Sequence, residues 1–268
     1  MKIALLGCGN MGMAYAQSFM KHHIVTKENF LLIEKNEARR EELVKLDMGK
    51  VIGELNEELN QCDIIILAVK PQDFQALGKE LKNLLNPETI ILSIMAGLTT
   101  ARIADTLGAT LIVRAMPNSP AQIGMGITAY TATAAIEVDQ LHKVEKLLAA
   151  TGRTVFIEKE EYLNAVTALS GSGPAYFFYF VKSMVKAGTQ MGLEESVAAM
   201  LVEQTMFGSF HLINNATQSL DELITAVASK GGTTEAALDK LREKQVGENL
   251  IEAILNAEKR AKELSKLL

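Results

Sequence analysis

The hexapeptide Gly7-Cys8-Gly9-Asn10-Met11-Gly12 constrains this chain more than any other stretch. It follows the apolar run KIALL directly and opens MAYAQSFMK, whose apolar residues recur at helical spacing. Between a strand and a helix, each glycine of such a loop has its own duty. Gly7 permits the tight turn, Gly9 lets a pyrophosphate approach the backbone, and Gly12 allows helix and strand to pack closely. The helix start then offers bare N–H groups and a partial positive charge to phosphates. Gly7, Cys8, Gly9, Asn10, Met11 and Gly12 are therefore expected to bind a dinucleotide. A ligand-free tight turn is the plain alternative for the same residues.

The strand-to-helix alternation continues. NFLLIE ends at Glu34 and precedes the helical NEARREELVKL; CDIIILAVKP, residues 62–71, stops at Pro71 and precedes DFQALGKELKNLL. ETIILSIMAG (88–97) and ATLIVRAMPN (109–118) follow, and ITAYTA (127–132) and RTVFIE (153–158) add further strands. Alternation of this kind predicts an α/β fold, a parallel sheet with helices on both faces, in a Rossmann-type dinucleotide-binding domain. From about Glu160 onward strand signals cease and long helical segments take over, so the boundary is expected between Glu158 and Tyr162. This divides the chain into a dinucleotide-binding domain, 1–159, and an all-helical domain, 160–268.

In such folds ligands bind at the carboxyl ends of the strands. Glu34 lies 22 residues past Gly12, where an acid accepts a hydrogen bond from the adenine ribose and repels a 2′-phosphate. Lys35, Asn36 and Arg39 stand close enough to hold that phosphate if Glu34 swings outward, so NADH and NADPH both remain candidates. Ala68, Val69, Lys70 and Pro71 turn from the next strand on the same rim, as do Ala96 and Gly97, then Met116 and Asn118. Small residues and an amide suit a flat nicotinamide ring. Lys70 and Glu34 are equally compatible with solvated surface positions.

A second helix start carries bare glycines: SKGGTTEAAL, 229–238. The N–H groups and dipole at such a start favour an anion, although a plain helix cap has the same composition. Ser170-Gly171-Ser172-Gly173-Pro174 reads as a turn with proline at a helix start. The segment that follows, AYFFYFVKSMVKAG, is apolar on most faces and must be buried in a core or against another subunit.

Composition removes several function classes. A net charge of -5 without a basic stripe argues against nucleic acid and anionic membranes as partners. No apolar run reaches the roughly 18 residues of a membrane span. KIALLG is too short for a secretory core, so a cytoplasmic protein is expected. The two cysteines, Cys8 and Cys62, have no metal-type spacing and read as reduced thiols; no metal is expected. The four histidines fall in no catalytic pattern.

Taken in order, GCGNMG, LAVKPQ (67–72), RAMPNSP (114–120), LSGSGPAY (169–176) and SKGGTTEAAL resemble the motifs of the pyrroline-5-carboxylate reductase family. They span nearly the whole chain. The resemblance implies a nucleotide-binding domain followed by a helical domain that interlocks with a second subunit as a homodimer or larger homo-oligomer. It implies hydride transfer from NADPH or NADH to the cyclic imine pyrroline-5-carboxylate, the last step of proline biosynthesis. It further implies that Asn56 contacts the cofactor and that Glu160, Ser229, Gly231, Gly232, Thr233 and Thr234 bind substrate. Within that set the helix start receives the substrate carboxylate, and the Thr234 hydroxyl serves the ring nitrogen as the catalytic group.

The chain departs from the family pattern at Lys230, where many members have proline, and at Leu220 in the preceding segment, another common proline position. Neither change removes a backbone donor between Gly231 and Thr234. Two other readings are a β-hydroxyacid dehydrogenase-type oxidoreductase and a non-catalytic nucleotide-binding regulator. The first needs a catalytic lysine on a helix of the second domain, for which Lys182 and Lys186 are available, but it assigns SGSGPAY and SKGGTT no role.

Overall fold

The structure is a computed structural model and describes residues 1–267. Its strands are β1 (Ile3–Leu6), β2 (Phe30–Ile33), β3 (Lys50–Ile52), β4 (Ile64–Leu67), β5 (Ile90–Ser93), β6 (Ile112–Met116), β7 (Gly126–Ala132) and β8 (Gly152–Phe156). They form one sheet in the order β3-β2-β1-β4-β5-β6-β7-β8. β1 to β6 all run parallel, so β1 and β4 lie centrally, with every residue of both buried.

Side chains on a strand alternate between faces, and here the alternation produces two cores. Ile3, Leu5, Leu32, Ile64, Ile66 and Leu92 pack on one face, under α1 (Asn10–Lys21), α2 (Glu37–Leu46) and α5 (Val138–Ala149). Ala4, Leu6, Leu31, Ile65, Leu67 and Ile91 pack on the other, under α3 (Phe74–Leu81) and α4 (Thr100–Leu107). Continuous apolar runs such as IIIL are the mark of a strand covered on both sides.

Two features of the sheet depart from expectation. β3 is an additional strand: KVI has three residues, none fully buried, and carries too short a pattern to read. β7 pairs antiparallel with β6, while β8 runs parallel to β7. Only residues 117–125 join β6 to β7, much of it a 3₁₀ turn (Ser119–Ile123) ending at Gly124 with φ +73°. A parallel return needs a crossover of roughly a dozen residues or more, so this connection can only fold back.

Helices follow β8: α6 (Leu163–Val166), α7 (Gly173–Gln190), α8 (Glu195–Asn215), α9 (Leu220–Val227), α10 (Thr233–Glu243) and α11 (Val246–Leu267). Between α6 and α7 the backbone widens into a π turn over Thr167–Gly171, closed by the Ser172 N–H donating to the Thr167 carbonyl at 2.9 Å. By packing, one compact unit comprises residues 1–172 with the chain from Ala257 onward, and the second is Gly173–Asn256. α6 belongs to the first because it packs against β7.

Ile66, at the centre of β4, is fully buried. Ile66→Ala is expected to lower the stability of the sheet unit by about 2–5 kcal/mol, read as a fall in its urea midpoint.

Candidate functional site

The glycine loop is built by close approach. Gly7 has φ +95°, and a Cβ there would lie 2.8 Å from the Ala68 carbonyl oxygen. A Cβ on Gly12 would collide with the Gly7 carbonyl oxygen and sit 3.4 Å from the Ala68 Cβ. Gly9 is different: a Cβ there meets nothing within 4 Å. Gly9 is also the N-cap of α1, with no side-chain cap and no acidic residue in the first turn. The first N–H groups of α1 thus open onto free space, with Gly9 and Asn10 exposed and Met11 half-buried. That combination fits a dinucleotide pyrophosphate.

Cys8 is buried beside the loop, its Sγ directed at the Ile33 carbonyl at 3.9 Å. Burial, and secondarily the Glu34 carboxylate, pushes its thiol up to about 12. At neutral pH it is a packed, protonated thiol, and its backbone N–H and carbonyl are taken up by Glu34 and Arg39.

The remaining rim residues gather where the parallel strands end. Ala68 and Val69 are half-buried behind Gly7, Lys70 is exposed, and Pro71 begins a 3₁₀ turn (Pro71–Asp73). After β5, Ala96 is exposed and Gly97 takes φ +82°. After β6, the Asn118 Oδ1 accepts from the Ile127 N–H at 3.0 Å, and its Nδ2 donates to the Ser170 Oγ at 3.4 Å. A Cβ on Gly171 would strike the Met116 Cε at 2.6 Å. The SGSG turn therefore closes on the Met116–Asn118 rim, with the end of the Met116 side chain packed against Gly171. Asn56 caps a 3₁₀ turn (Glu57–Gln61), accepting from the Glu58 N–H at 3.0 Å.

Glu34 bridges two loops. Its Oε2 accepts from the Cys8 N–H at 3.1 Å and its Oε1 from the Asn36 N–H at 3.0 Å. Lys35 is exposed beside it.

The Glu160 carboxylate is engaged within the sheet unit. It accepts from the Thr100 N–H at 2.8 Å, the Thr100 hydroxyl at 2.5 Å and the Arg114 guanidinium at 2.8 Å. Arg114, on β6, is only 3% exposed, and a cation in that position needs a partner. Sequence reasoning passed over both Arg114 and Thr100. The available signal was a lone arginine inside the apolar run LIVRAM.

In the helical unit, the start of α10 has the geometry of an open cap. Gly231 takes φ +73°, Gly232 is the N-cap without a side-chain cap bond, and its N–H donates to the Ser229 carbonyl at 2.9 Å. No serine or threonine side chain closes this helix; the side-chain acceptor at its start is Glu235, in its first turn. The Gly231 N–H, however, donates to the Glu235 Oε2 at 2.6 Å, leaving Thr233 and Thr234 as the open end of the turn. Thr234 is half-buried and Thr233 exposed.

The same unit displays apolar surface. On α7 only Gly173 and Gly188 are buried, and on α8 only Ala198. Phe177, Phe178 and Tyr179 are each more than three-fifths exposed in the single chain, and Phe207 and Phe210 more than half. Surface of this kind marks an association face. No helix among the described residues is long and apolar enough to cross a membrane. Among them, no group of three or more His, Cys, Asp or Glu side chains is placed to hold a metal ion.

Two substitutions probe this geometry. Gly12→Ala is expected to weaken nicotinamide dinucleotide binding by about tenfold or more, measured by calorimetric titration, because the new methyl displaces the start of α1. Glu160→Gln leaves Arg114 without its counter-charge and is expected to cost about 1–3 kcal/mol, seen as a lower unfolding midpoint, while dinucleotide affinity is unchanged.

Comparison with known proteins reports on both halves of the chain. The family model for pyrroline-5-carboxylate reductase dimerisation matches residues 160–264. That for NADP oxidoreductase, coenzyme F420-dependent, matches residues 2–97. The pyrroline-5-carboxylate reductase of Aquifex aeolicus is 34% identical over 266 residues, covering 98% of this chain and 97% of that protein. Pyrroline-5-carboxylate reductase 1 of Bacillus subtilis is 31% identical over 268 residues, covering 99% and 90%. The crystal structure of the Plasmodium falciparum pyrroline carboxylate reductase, with NADP bound, superposes with TM-score 0.89 at 28% identity, covering 98% of each chain. Identity above 30% along the whole sequence, with the dimerisation model over its helical part, shows that the chain belongs to the pyrroline-5-carboxylate reductase family.

Proposed function

We infer that this protein is a pyrroline-5-carboxylate reductase: an enzyme that reduces 1-pyrroline-5-carboxylate to L-proline with NAD(P)H. The observation that carries the reading is the open start of α1, where Gly9 faces free space and no side chain caps the helix, in a chain with full-length relatives of that name. When bound, the reduced nicotinamide supplies the hydride. Imine reduction asks little else of side chains beyond positioning and a proton for nitrogen.

The loop from Gly7 to Gly12 closes on the pyrophosphate, which the N–H groups from Gly9 to Gly12 hold while those of Gly7 and Cys8 are bonded to Ile33 and Glu34, and Glu34 with Lys35 and Asn56 lies toward the adenosine side. Ala68–Pro71, Ala96, Gly97, Met116 and Asn118 form the rim that keeps the nicotinamide flat and water out. The open turn at Gly232–Thr234 receives the substrate carboxylate, with Ser229 fixing the turn from below through its carbonyl bond to the Gly232 N–H. The Thr234 hydroxyl then donates toward the ring nitrogen, directly or through a water, so that the imine carbon is electrophilic. Glu160, proposed from the family pattern as a substrate contact, acts in this reading through Arg114 and Thr100 instead. Lys230 has no role that the structure explains.

The apolar faces of α7 and α8 support a homodimer or a larger assembly built on dimers. A small-molecule substrate and a cytoplasmic location are the setting that fits the family.

The test is direct. Protein mixed with pyrroline-5-carboxylate and either NADH or NADPH is expected to consume the reduced nicotinamide, followed by its absorbance; no imine-dependent loss with either cofactor defeats the reading. Thr234→Ala is expected to lower kcat by about tenfold or more while cofactor affinity stays within about twofold. Unchanged turnover removes Thr234 from the mechanism.

A further inference from the structure

We propose that Glu34 makes NADH, rather than NADPH, the preferred reductant of this protein. The inference rests on the reading of Gly7–Gly12 as the pyrophosphate loop and concerns the next contact outward, at the adenine ribose.

The amino-acid sequence leaves two arrangements open at the end of β2. Either the Glu34 carboxylate faces the ribose, or it swings away and Lys35, Asn36 and Arg39 grip a 2′-phosphate. The structure separates them. Glu34 accepts the Cys8 N–H of the glycine loop at 3.1 Å and the Asn36 N–H of the β2–α2 turn at 3.0 Å. Outward rotation breaks both bonds at once and leaves the buried Cys8 without a partner for its amide. Each carboxylate oxygen retains a further lone pair, so the pinned group still accepts from a ribose hydroxyl.

The groups that would hold a phosphate are already engaged. The Arg39 Nε donates to the Cys8 carbonyl at 3.4 Å and its Nη1 pairs with Glu42 at 2.6 Å. The Arg40 Nη1 donates to the Glu34 and Lys35 carbonyls at 3.1 and 2.6 Å, bracing the turn from beneath. The Asn36 side chain accepts from the Arg39 N–H and caps α2, so it faces its own helix. Only Lys35 stands outside this set, exposed. A 2′-phosphate, carrying about −1.5 to −2 charge, would therefore meet a fixed carboxylate before it met a free guanidinium.

Calorimetric titration of the full-length protein with NADH and with NADPH, without substrate, tests this apart from turnover. The dissociation constant for NADH is expected to lie at least about tenfold below that for NADPH. Glu34→Gln removes the negative charge and is expected to narrow the ratio to within about threefold. Arg39→Ala, which leaves the Glu34 clamp intact, is expected to keep the wild-type ratio within about twofold. Equal or tighter binding of NADPH to the wild type overturns the proposal. So does an Arg39→Ala protein that loses NADPH affinity by about tenfold or more while holding NADH. Failure of both nucleotides to bind defeats the reading of the loop itself, an outcome distinct from a reversed preference.

Discussion

The approach of two backbones at the head of the sheet governs the rest of this structure. β1 and β4 are neighbours at the centre, and the chain leaving β1 must turn within van der Waals reach of the chain leaving β4. Gly7 and Gly12 make that possible, since a side chain at either would run into the Ala68 or Gly7 backbone. Once the turn is that tight, α1 starts directly above the ends of the strands, and its first N–H groups have nothing from the protein to satisfy them. Binding capacity at this point is a consequence of packing, with Gly9 as the glycine of this loop at which a Cβ would meet open space rather than backbone.

A second constraint works outward from the same loop. The Cys8 N–H needs an acceptor, and the Glu34 carboxylate supplies it, which also fixes that carboxylate beside the glycine loop. Farther along the rim, the Asn118 amide ties the end of β6 to the start of β7 and reaches Ser170. Arg114, buried on β6, draws Glu160 and the first turn of α4 together. Of these bonds, those of Cys8 with Glu34 and of Arg114 with Glu160 are required because one partner is sheltered from water. The helical unit follows a different logic. It places its large apolar side chains outside, on a stretch that matches the family's dimerisation model.

Much of this was legible beforehand, and the reason is specific. Strands buried on both faces must be apolar throughout, so runs such as IIIL and FLLI announce themselves, and glycine spacing marks the turn where no side chain fits. β3 escaped because a three-residue, half-exposed strand has no pattern of its own; it exists because β2 presents an edge. The antiparallel direction of β7 was legible in the short stretch 119–126 between RAMPN and ITAYTA, too few residues for a parallel crossover, but the strand–helix alternation by itself pointed to a parallel sheet. The Arg114–Glu160 pair joins residues 46 apart, and neither local composition nor periodicity carries such information. At SKGGTT the helix start was readable from its glycines, whereas the capture of the Gly231 N–H by Glu235 was not, because it is a choice among equivalent local bonds.

The amino-acid sequence by itself determined the succession of elements, the glycine turn, the change to helices after Glu160 and the family to which the chain belongs. These follow from residue-level rules: the period of apolar side chains, the room a Cβ needs, and motifs whose spacing is fixed by local geometry. Tertiary structure alone decided the pairing of β3 with β2, the partner of Arg114 and the fate of the Glu34 carboxylate. Each of those depends on which distant polar group arrives within hydrogen-bond distance. A charged side chain at the end of a strand has several such groups in reach, and only the folded chain selects among them.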